Sequence, residues 1–250
     1  MKIIPLSEGS FTIDQSKLFV PFDLEKDKLE KRSTGSLLVE IQPFVIVTSR
    51  DVLLLDTGLG FAGNTALQLY ENLLKNGIDP FDITRVLMSH LHKDHAGGVS
   101  FKDDFGNRRL TFPNATYYIQ QREIGYALEK GAPSYIAEEL EILNHAENVH
   151  FLHDDRGTID GYIHYEVTAG HSPFHQVFRI TEEDKVAFFG GDDAPQLQQM
   201  KSRFVAKYDY DGKKCMELRQ SWWETGREHN WTFLFYHDVK NPVWPGLTEK

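Results

Sequence analysis

Between Ser89 and Gly98 the chain reads SHLHKDHAGG, and four of the six residues from His90 to His95 are metal-ligand types: His90, His92, Asp94 and His95. On a helix, side chains two residues apart point about 200° away from each other, so His90 and His92 would not share an ion. On an extended segment they point the same way. The preceding run RVLMS reads as that segment, and AGG then lets the chain turn sharply, by expectation into a helix start. The cluster thus belongs at the C-terminal end of a strand, where open sheets carry their functional loops.

Further ligand types stand at the ends of three later strand-like runs: His171 in VTAGHSPFH, Asp192 in FFGGDDAP and His237 in LFYHD. The total is seven candidates, five His and two Asp, more than one four- or five-coordinate ion can use. Two ions can use them. A natural partition puts His90, His92 and His171 on one ion and Asp94, His95 and His237 on the other, with the Asp192 carboxylate bridging both.

The elements that must position these residues are short apolar runs bounded by turn residues: LLVEIQPFVIVTS, VLLLDTG, RVLMSH, ATYYIQ, IHYEVTAGH, QVFRIT, KVAFFGGD and WTFLFYHD. Apolar residues three and four apart predict helices over Asn64–Gly77, Gln121–Lys130, Ser134–His145 and Lys213–His229. Sheets covered by helices follow, in an α/β or α+β layered domain spanning residues 1–250. The segment SFKDDFGNRRLTFPNA reads as a long surface loop, and no repeat or low-complexity linker divides the chain.

The chain has 250 residues, with 27 Lys+Arg against 37 Asp+Glu and a formal charge of −10. That balance repels a phosphate backbone and suits a protein that holds metal cations. The single cysteine, Cys215, leaves no disulfide framework and points to a reducing, cytoplasmic setting. The N-terminal MKIIPLSEGSFTID lacks a signal-like apolar core, and no run approaches a membrane span. The expected partner is a small-molecule substrate, with neither nucleic acid nor membrane, and a homodimer is left open.

The motifs together resemble the metallo-β-lactamase superfamily of hydrolases. HxHxDH stands as HLHKDH, preceded by LLLDTG and followed by AGHSPFH, GGD and a late His, in the family's order from Val52 to His237. The resemblance implies an αββα sandwich, two mixed β-sheets face to face with helices outside, and the ligand partition just described. It implies a hydrolase with two divalent ions, zinc first, with iron or manganese as alternatives. Spacings of 21 residues from His171 to Asp192 and 45 from Asp192 to His237, and an aspartate where many true β-lactamases have cysteine, look like the lactonase-like branch. Only 13 residues follow His237, too few for the helical domain that glyoxalase II proteins usually add. One position departs: many lactonases of this branch carry a tyrosine three residues after the bridging aspartate, and here Pro195 stands there, leaving Tyr208, Tyr210 or Tyr236 to approach from elsewhere.

Two close cations lower the pKa of a water held between them and polarise a carbonyl, which suits opening a small ester or lactone by hydroxide. Asp94 is the candidate to steer that hydroxide and carry a proton to the leaving oxygen, against a reading as ligand alone. The resemblance makes Asp56 of LLLDTG an acceptor for a metal-bound imidazole; the alternative is a turn or cap aspartate. Asp193 reads as a loop acceptor and His175 as a support or packing histidine. Cys215, Trp222 and Trp223 read as packing residues on one helix. The segment KLFVPFD reads as packing on the sheet, with pocket lining as its alternative, and the loops Phe101–Ala115 and Ala194–Asp211 are expected to shape the pocket. The competing classes are an iron-containing oxidoreductase on the same scaffold, a hydrolase of thioesters or phosphoesters, and a non-catalytic binding protein.

Overall fold

The computed structural model describes residues 1–60 and 67–246. In chain order the strands of its first half are β1 (Lys2–Pro5), β2 (Gly9–Ile13), β3 (Val20–Pro21), β4 (Leu37–Ile41), β5 (Phe44–Val47), β6 (Val52–Leu55), β7 (Arg85–Leu87), β8 (Ser100–Lys102), β9 (Arg108–Leu110), β10 (Thr116–Gln120) and β11 (Val149–Leu152). The second half adds β12 (Arg156–Ile159), β13 (Ile163–Val167), β14 (Gln176–Glu182), β15 (Lys185–Phe189), β16 (Thr232–Leu234) and β17 (Val243–Trp244). The helices are α1 (Gln68–Lys75), α2 (Lys93–Ala96), α3 (Gln121–Lys130), α4 (Ala137–Leu140), α5 (Leu197–Met200) and α6 (Gly212–Glu228).

Two mixed six-stranded sheets carry the fold, in the orders β1-β5-β6-β7-β10-β11 and β12-β13-β14-β15-β16-β17. The period-2 alternation of each strand divides its side chains between two layers. Phe44, Ile46, Leu53, Leu55 and Leu87 of the first sheet meet Phe178, Ile180, Ala187, Phe189 and Leu234 of the second in one inner core. Their neighbours Val45, Leu54 and Val86 turn outward onto Leu69 and Leu73 of α1 and Ile124 and Ala127 of α3. On the opposite side Val177, Phe188 and Phe233 pack with Leu197 and Met200 of α5 and with Trp222 and Trp223 of α6. The result is the αββα sandwich. Each Val, Leu, Ile, Phe or Met side chain among them contributes roughly 1.5–3 kcal/mol when fully buried, so the layers are fixed by burial more than by strand propensity. Among the described residues no helix is long and apolar enough to cross a membrane.

Several expectations change in detail. LLVEIQPFVIVTS is two strands: β4 pairs with β2 in a separate three-stranded sheet and β5 joins the first large sheet. The break falls at Gln42-Pro43, where proline has no N–H to continue a ladder. The helix expected over Ser134–His145 is only α4 followed by a 3-10 turn at Glu141–Asn144. The loop expected at Phe101–Ala115 contains the hairpin β8/β9. Of the helix expected over Asn64–Gly77, residues 64–66 lie outside the described residues, and the rest gives α1.

Candidate metal centre

The ligand-type residues occupy one edge of the sandwich because the topology brings their strand ends there. His90 and His92 follow β7, and Asp94 and His95 lie on α2. His171 follows β13, Asp192 lies in the 3-10 turn Gly191–Asp193 after β15, and His237 follows β16. β13 and β15 both run antiparallel to β14, and β16 runs parallel to β15, so these three strands end on the same side.

The HLHKDH segment is extended only as far as His92, which caps a single helical turn. His90 Nε2 and His92 Nδ1 therefore converge to 2.9 Å. The glycines follow that turn and do not introduce another helix, contrary to the expectation for AGG; the chain goes on to β8. Their function is close approach. A Cβ on Gly98 would lie 2.1 Å from the Thr57 carbonyl oxygen, and one on Gly97 would lie 2.2 Å from that of Leu59. The DTG loop thereby packs directly on α2, with the Thr57 N–H donating to the His95 carbonyl at 2.7 Å.

All seven predicted residues come together in two groups that share one carboxylate. Nitrogens of His90, His92 and His171 and an oxygen of Asp192 lie within 4.8 Å of one another, as do ligand atoms of Asp94, His95 and His237. Asp192 Oδ2 stands 3.2 Å from His171 Nε2 and 4.0 Å from His90 Nε2. Its Oδ1 stands 2.9 Å from His237 Nε2 and 3.1 Å from His95 Nε2. Asp94 is more loosely held, 3.5 Å from His237 Nε2 and 3.8 Å from His95 Nε2.

Four of the five imidazoles are oriented through Nδ1. His95 Nδ1 faces Asp56 Oδ2 at 2.7 Å, His171 Nδ1 faces Asp209 Oδ1 at 2.9 Å and His237 Nδ1 faces the Glu40 carbonyl at 2.7 Å. His90 Nδ1 faces Ser89 Oγ at 3.0 Å, and that hydroxyl already donates to Asp56. Each of these acceptors selects the Nδ1–H tautomer, which leaves a bare Nε2 lone pair facing the centre. His95 Nε2 and Asp192 Oδ1 are buried without a hydrogen-bond partner among the described residues. Buried orphan acceptors of this kind, nitrogen and carboxylate oxygen only, fit a cation.

The electrostatics agree. Burial disfavours a proton on His95, but the Asp192 and Asp94 carboxylates outweigh it and hold the imidazole well above its ordinary range. His171 and His237 are likewise raised against burial, chiefly by Asp192. Burial and neighbouring imidazoles push His90 and His92 well below it. Asp192, despite burial, is kept well below the carboxylate range by His237, His95 and His171. The cluster is thus organised to receive positive charge between its ring nitrogens and Asp192.

Around the ligands stand residues that the sequence reading assigned smaller parts or missed. Asp56, with a left-handed φ of 55°, accepts from the Ser89 N–H and hydroxyl as well as facing His95. His175 Nε2 accepts the Asp192 N–H, while Asp193 accepts from the His171 N–H and the Cys215 thiol. Asp193 and Cys215 are therefore the acceptor and buried packing residue expected, and burial pushes the thiol up, away from nucleophilic use. Asp209 and Glu123 were not anticipated. Glu123, on the buried face of α3, accepts from the Leu91 N–H at 3.1 Å and the Ser172 hydroxyl at 3.2 Å, joining the two histidine loops. Tyr236 is buried under His95, and its hydroxyl donates to the Asp94 carbonyl, so it does not face a substrate.

A cavity of about 1160 Å³ opens over the centre, lined by His92, Asp94, His171, Asp192 and His237 among others. Ala194–Asp211 lines it through Pro195, Phe204 and Tyr208, as expected; no residue of Phe101–Ala115 does, because that hairpin lies elsewhere. KLFVPFD both packs and lines: Phe19 meets the Phe11 ring at 6.2 Å and faces the cavity with Lys17, while Leu18 and Val20 are exposed.

The chain belongs to the metallo-beta-lactamase superfamily, whose family profile matches residues 40–221. It is similar to N-acyl homoserine lactonase AttM of Azorhizobium caulinodans, 33% identical over 114 residues, 42% of this chain and 38% of that protein. N-acyl homoserine lactonase AiiA of Bacillus thuringiensis subsp. kurstaki is 27% identical over 170 residues, 68% of this chain and 62% of that protein. The matches thus cover less than two thirds of either relative, and they are to the lactonase-like branch. Among solved structures, a probable metal-dependent hydrolase from Staphylococcus aureus has a TM-score of 0.76 at 21% identity, covering 100% of this chain and 97% of that one. AidC, a dizinc quorum-quenching lactonase, has a TM-score of 0.72 at 19% identity, covering 98% and 90%. These likenesses show the fold.

Proposed function

We propose that the protein is a single-domain hydrolase that opens a small ester or lactone at a dinuclear, zinc-binding centre. His90, His92 and His171 would hold one ion and Asp94, His95 and His237 the other, with Asp192 shared. The observation that supports this most directly is the convergence of four Nδ1-anchored imidazoles on the two oxygens of one buried carboxylate. When bound, such an ion pair supplies a Lewis acid for the substrate carbonyl and acidifies water to near neutrality.

The chain's own residues supply the rest. Asp94, the less tightly held carboxylate and a cavity-lining one, is placed to hold a proton at Oδ and pass it to the leaving alkoxide. Asp56, Asp209 and the Glu40 carbonyl keep three imidazoles in the tautomer that turns Nε2 inward. Pro195, where the lactonase tyrosine would stand, lends its carbonyl to the His237 N–H. Tyr208 takes over as donor to the substrate carbonyl: it lines the cavity with its ring 6.1 Å from that of His171. Burial and then Asp209 push its phenol up to about 12, so it stays protonated.

Metal per chain should be measured in the parent, Asp192→Ala, His92→Ala and Tyr208→Phe, alongside a screen of lactones and aryl esters. About two zinc ions in the parent, lost with turnover in the first two variants, is the expected result. Tyr208→Phe should keep its metal and lose about 100-fold in kcat. Iron with no hydrolysis would move the assignment to an oxidoreductase, and absence of bound metal would overturn it.

A further inference from the structure

Lys17, Lys93, Lys130 and Lys207 all line the cavity above the centre. Among the described residues none of them forms an ion pair, which they share with most lysines of the chain, since only Lys26, Lys75, Lys102 and Lys213 are paired. In a chain of formal charge −10, what sets these four cations apart is that they gather around one opening. The carboxylates that share the lining do not neutralise them. Asp94, Asp192 and Asp209 are turned to imidazoles, and Asp14 is taken up by the N–H and hydroxyl of Ser16. Among the described residues no glutamate lines the cavity.

Two of the lysines lie partly within it. Lys17 and Lys93 are half-buried, while Lys130 and Lys207 are exposed at its margin. Lys17 sits at the end of a turn closed by its own N–H to the Asp14 carbonyl, with a left-handed φ of 60°. That conformation suits glycine or asparagine better than lysine, and such outliers persist where the surroundings impose them, often at binding sites. Lys17 shares the cavity lining with His92 and His171. Apolar surface lies between: Lys93 Nζ stands 5.8 Å over the Phe19 ring and Lys130 Nζ 5.3 Å over the Tyr126 ring.

We infer that the substrate is an ester or lactone with an apolar body that carries a second, anionic group away from the scissile bond, received by Lys17 and Lys93 with Lys207 and Lys130 at the margin. The inference rests on the hydrolase reading of the same site and narrows its substrate class. A carboxylate and a phosphate share the required chemistry, and an uncharged acyl tail lacks it.

Three lactones of equal acyl length test it, ending in methyl, carboxylate or phosphate, with the zinc-loaded parent and the Lys17→Gln/Lys207→Gln double variant. In the parent, kcat/KM for one or both anionic lactones should exceed that for the neutral one by about tenfold or more, the size of one charge-assisted contact. The advantage should reside in KM, shrink with added salt and fall to about twofold in the double variant. The better anion identifies the source. Equal or better hydrolysis of the neutral lactone by the parent overturns the inference while leaving the hydrolase reading intact. If no lactone is hydrolysed, that reading fails first, and calorimetry with the ring-opened acids decides the inference: tighter binding of the doubly anionic acid, lost in the double variant, supports it, and equal binding overturns it.

Discussion

Glu123 accepts hydrogen bonds from both histidine loops although it is not itself one of the candidate ligands. Burial holds its carboxyl above the ordinary range, and its partners are the Leu91 N–H, the Ser172 hydroxyl and, at 3.5 Å, the Tyr135 hydroxyl. Glu123→Ala strands a buried amide N–H between two candidate ligands, a loss of about 1–3 kcal/mol before any cavity cost. It should also weaken zinc binding by about 10–100-fold, as measured by competition with a chelator. Unchanged affinity together with lowered stability would reduce Glu123 to packing. The seven candidate ligand positions, which the structure brings together, were legible because their types cluster in short motifs at strand ends. Glu123 and Asp209 were not, since each is one acid among many, and only the buried face of α3 and the path of the loop after α5 bring them to the histidines. Asp56 was legible through its motif, but its simultaneous hold on Ser89 and His95 was not.

Between elements, the closest fit is that of the DTG loop, and it depends on a residue from the connection between β1 and β2. Glu8 accepts the Leu59 N–H at 2.7 Å, and a Cβ on Gly58 would lie 2.4 Å from its Oε2. Burial raises the Glu8 carboxyl from 4.5 to about 7, opposed by that hydrogen bond. A carboxyl raised on folding favours the folded state while protonated: its contribution is complete below pH 4.5 and is lost as pH rises through about 7. The amount is about 3 kcal/mol. Glu8→Gln keeps an acceptor for Leu59 and cannot ionise, so urea unfolding of the two proteins from pH 4.5 to 8 should show the parent losing about that much relative to the variant. Parallel pH profiles would mean that Glu8 titrates normally. The strands that were legible are those written as short apolar runs bounded by turn residues. The elements that were misjudged, α2, α4 and the β8/β9 hairpin, are three or four residues each, below the length at which periodicity carries information.

At the scale of the whole molecule, the four-layer order was not written in any single run. It followed from a family resemblance, and its physical basis is visible only when β5, β6, β14 and β15 are seen to divide their side chains between inner and outer cores. The same arrangement gives the candidate metal centre a structural consequence. His90, His92, Asp94 and His95 come from the first sheet's connections, and His171, Asp192 and His237 from the second's, so a bound ion pair ties together two halves otherwise joined mainly by apolar contact. Ions that bind the folded chain alone stabilise it by mass action, about 4 kcal/mol for each site at a thousandfold excess over Kd. Chelation should therefore lower the urea midpoint steeply, and readdition of zinc should restore it. Asp192→Ala, which removes the shared ligand, should respond weakly to either treatment. A parent midpoint indifferent to chelator would show that burial alone holds the sheets together and that the seven residues carry no ion in the folded protein.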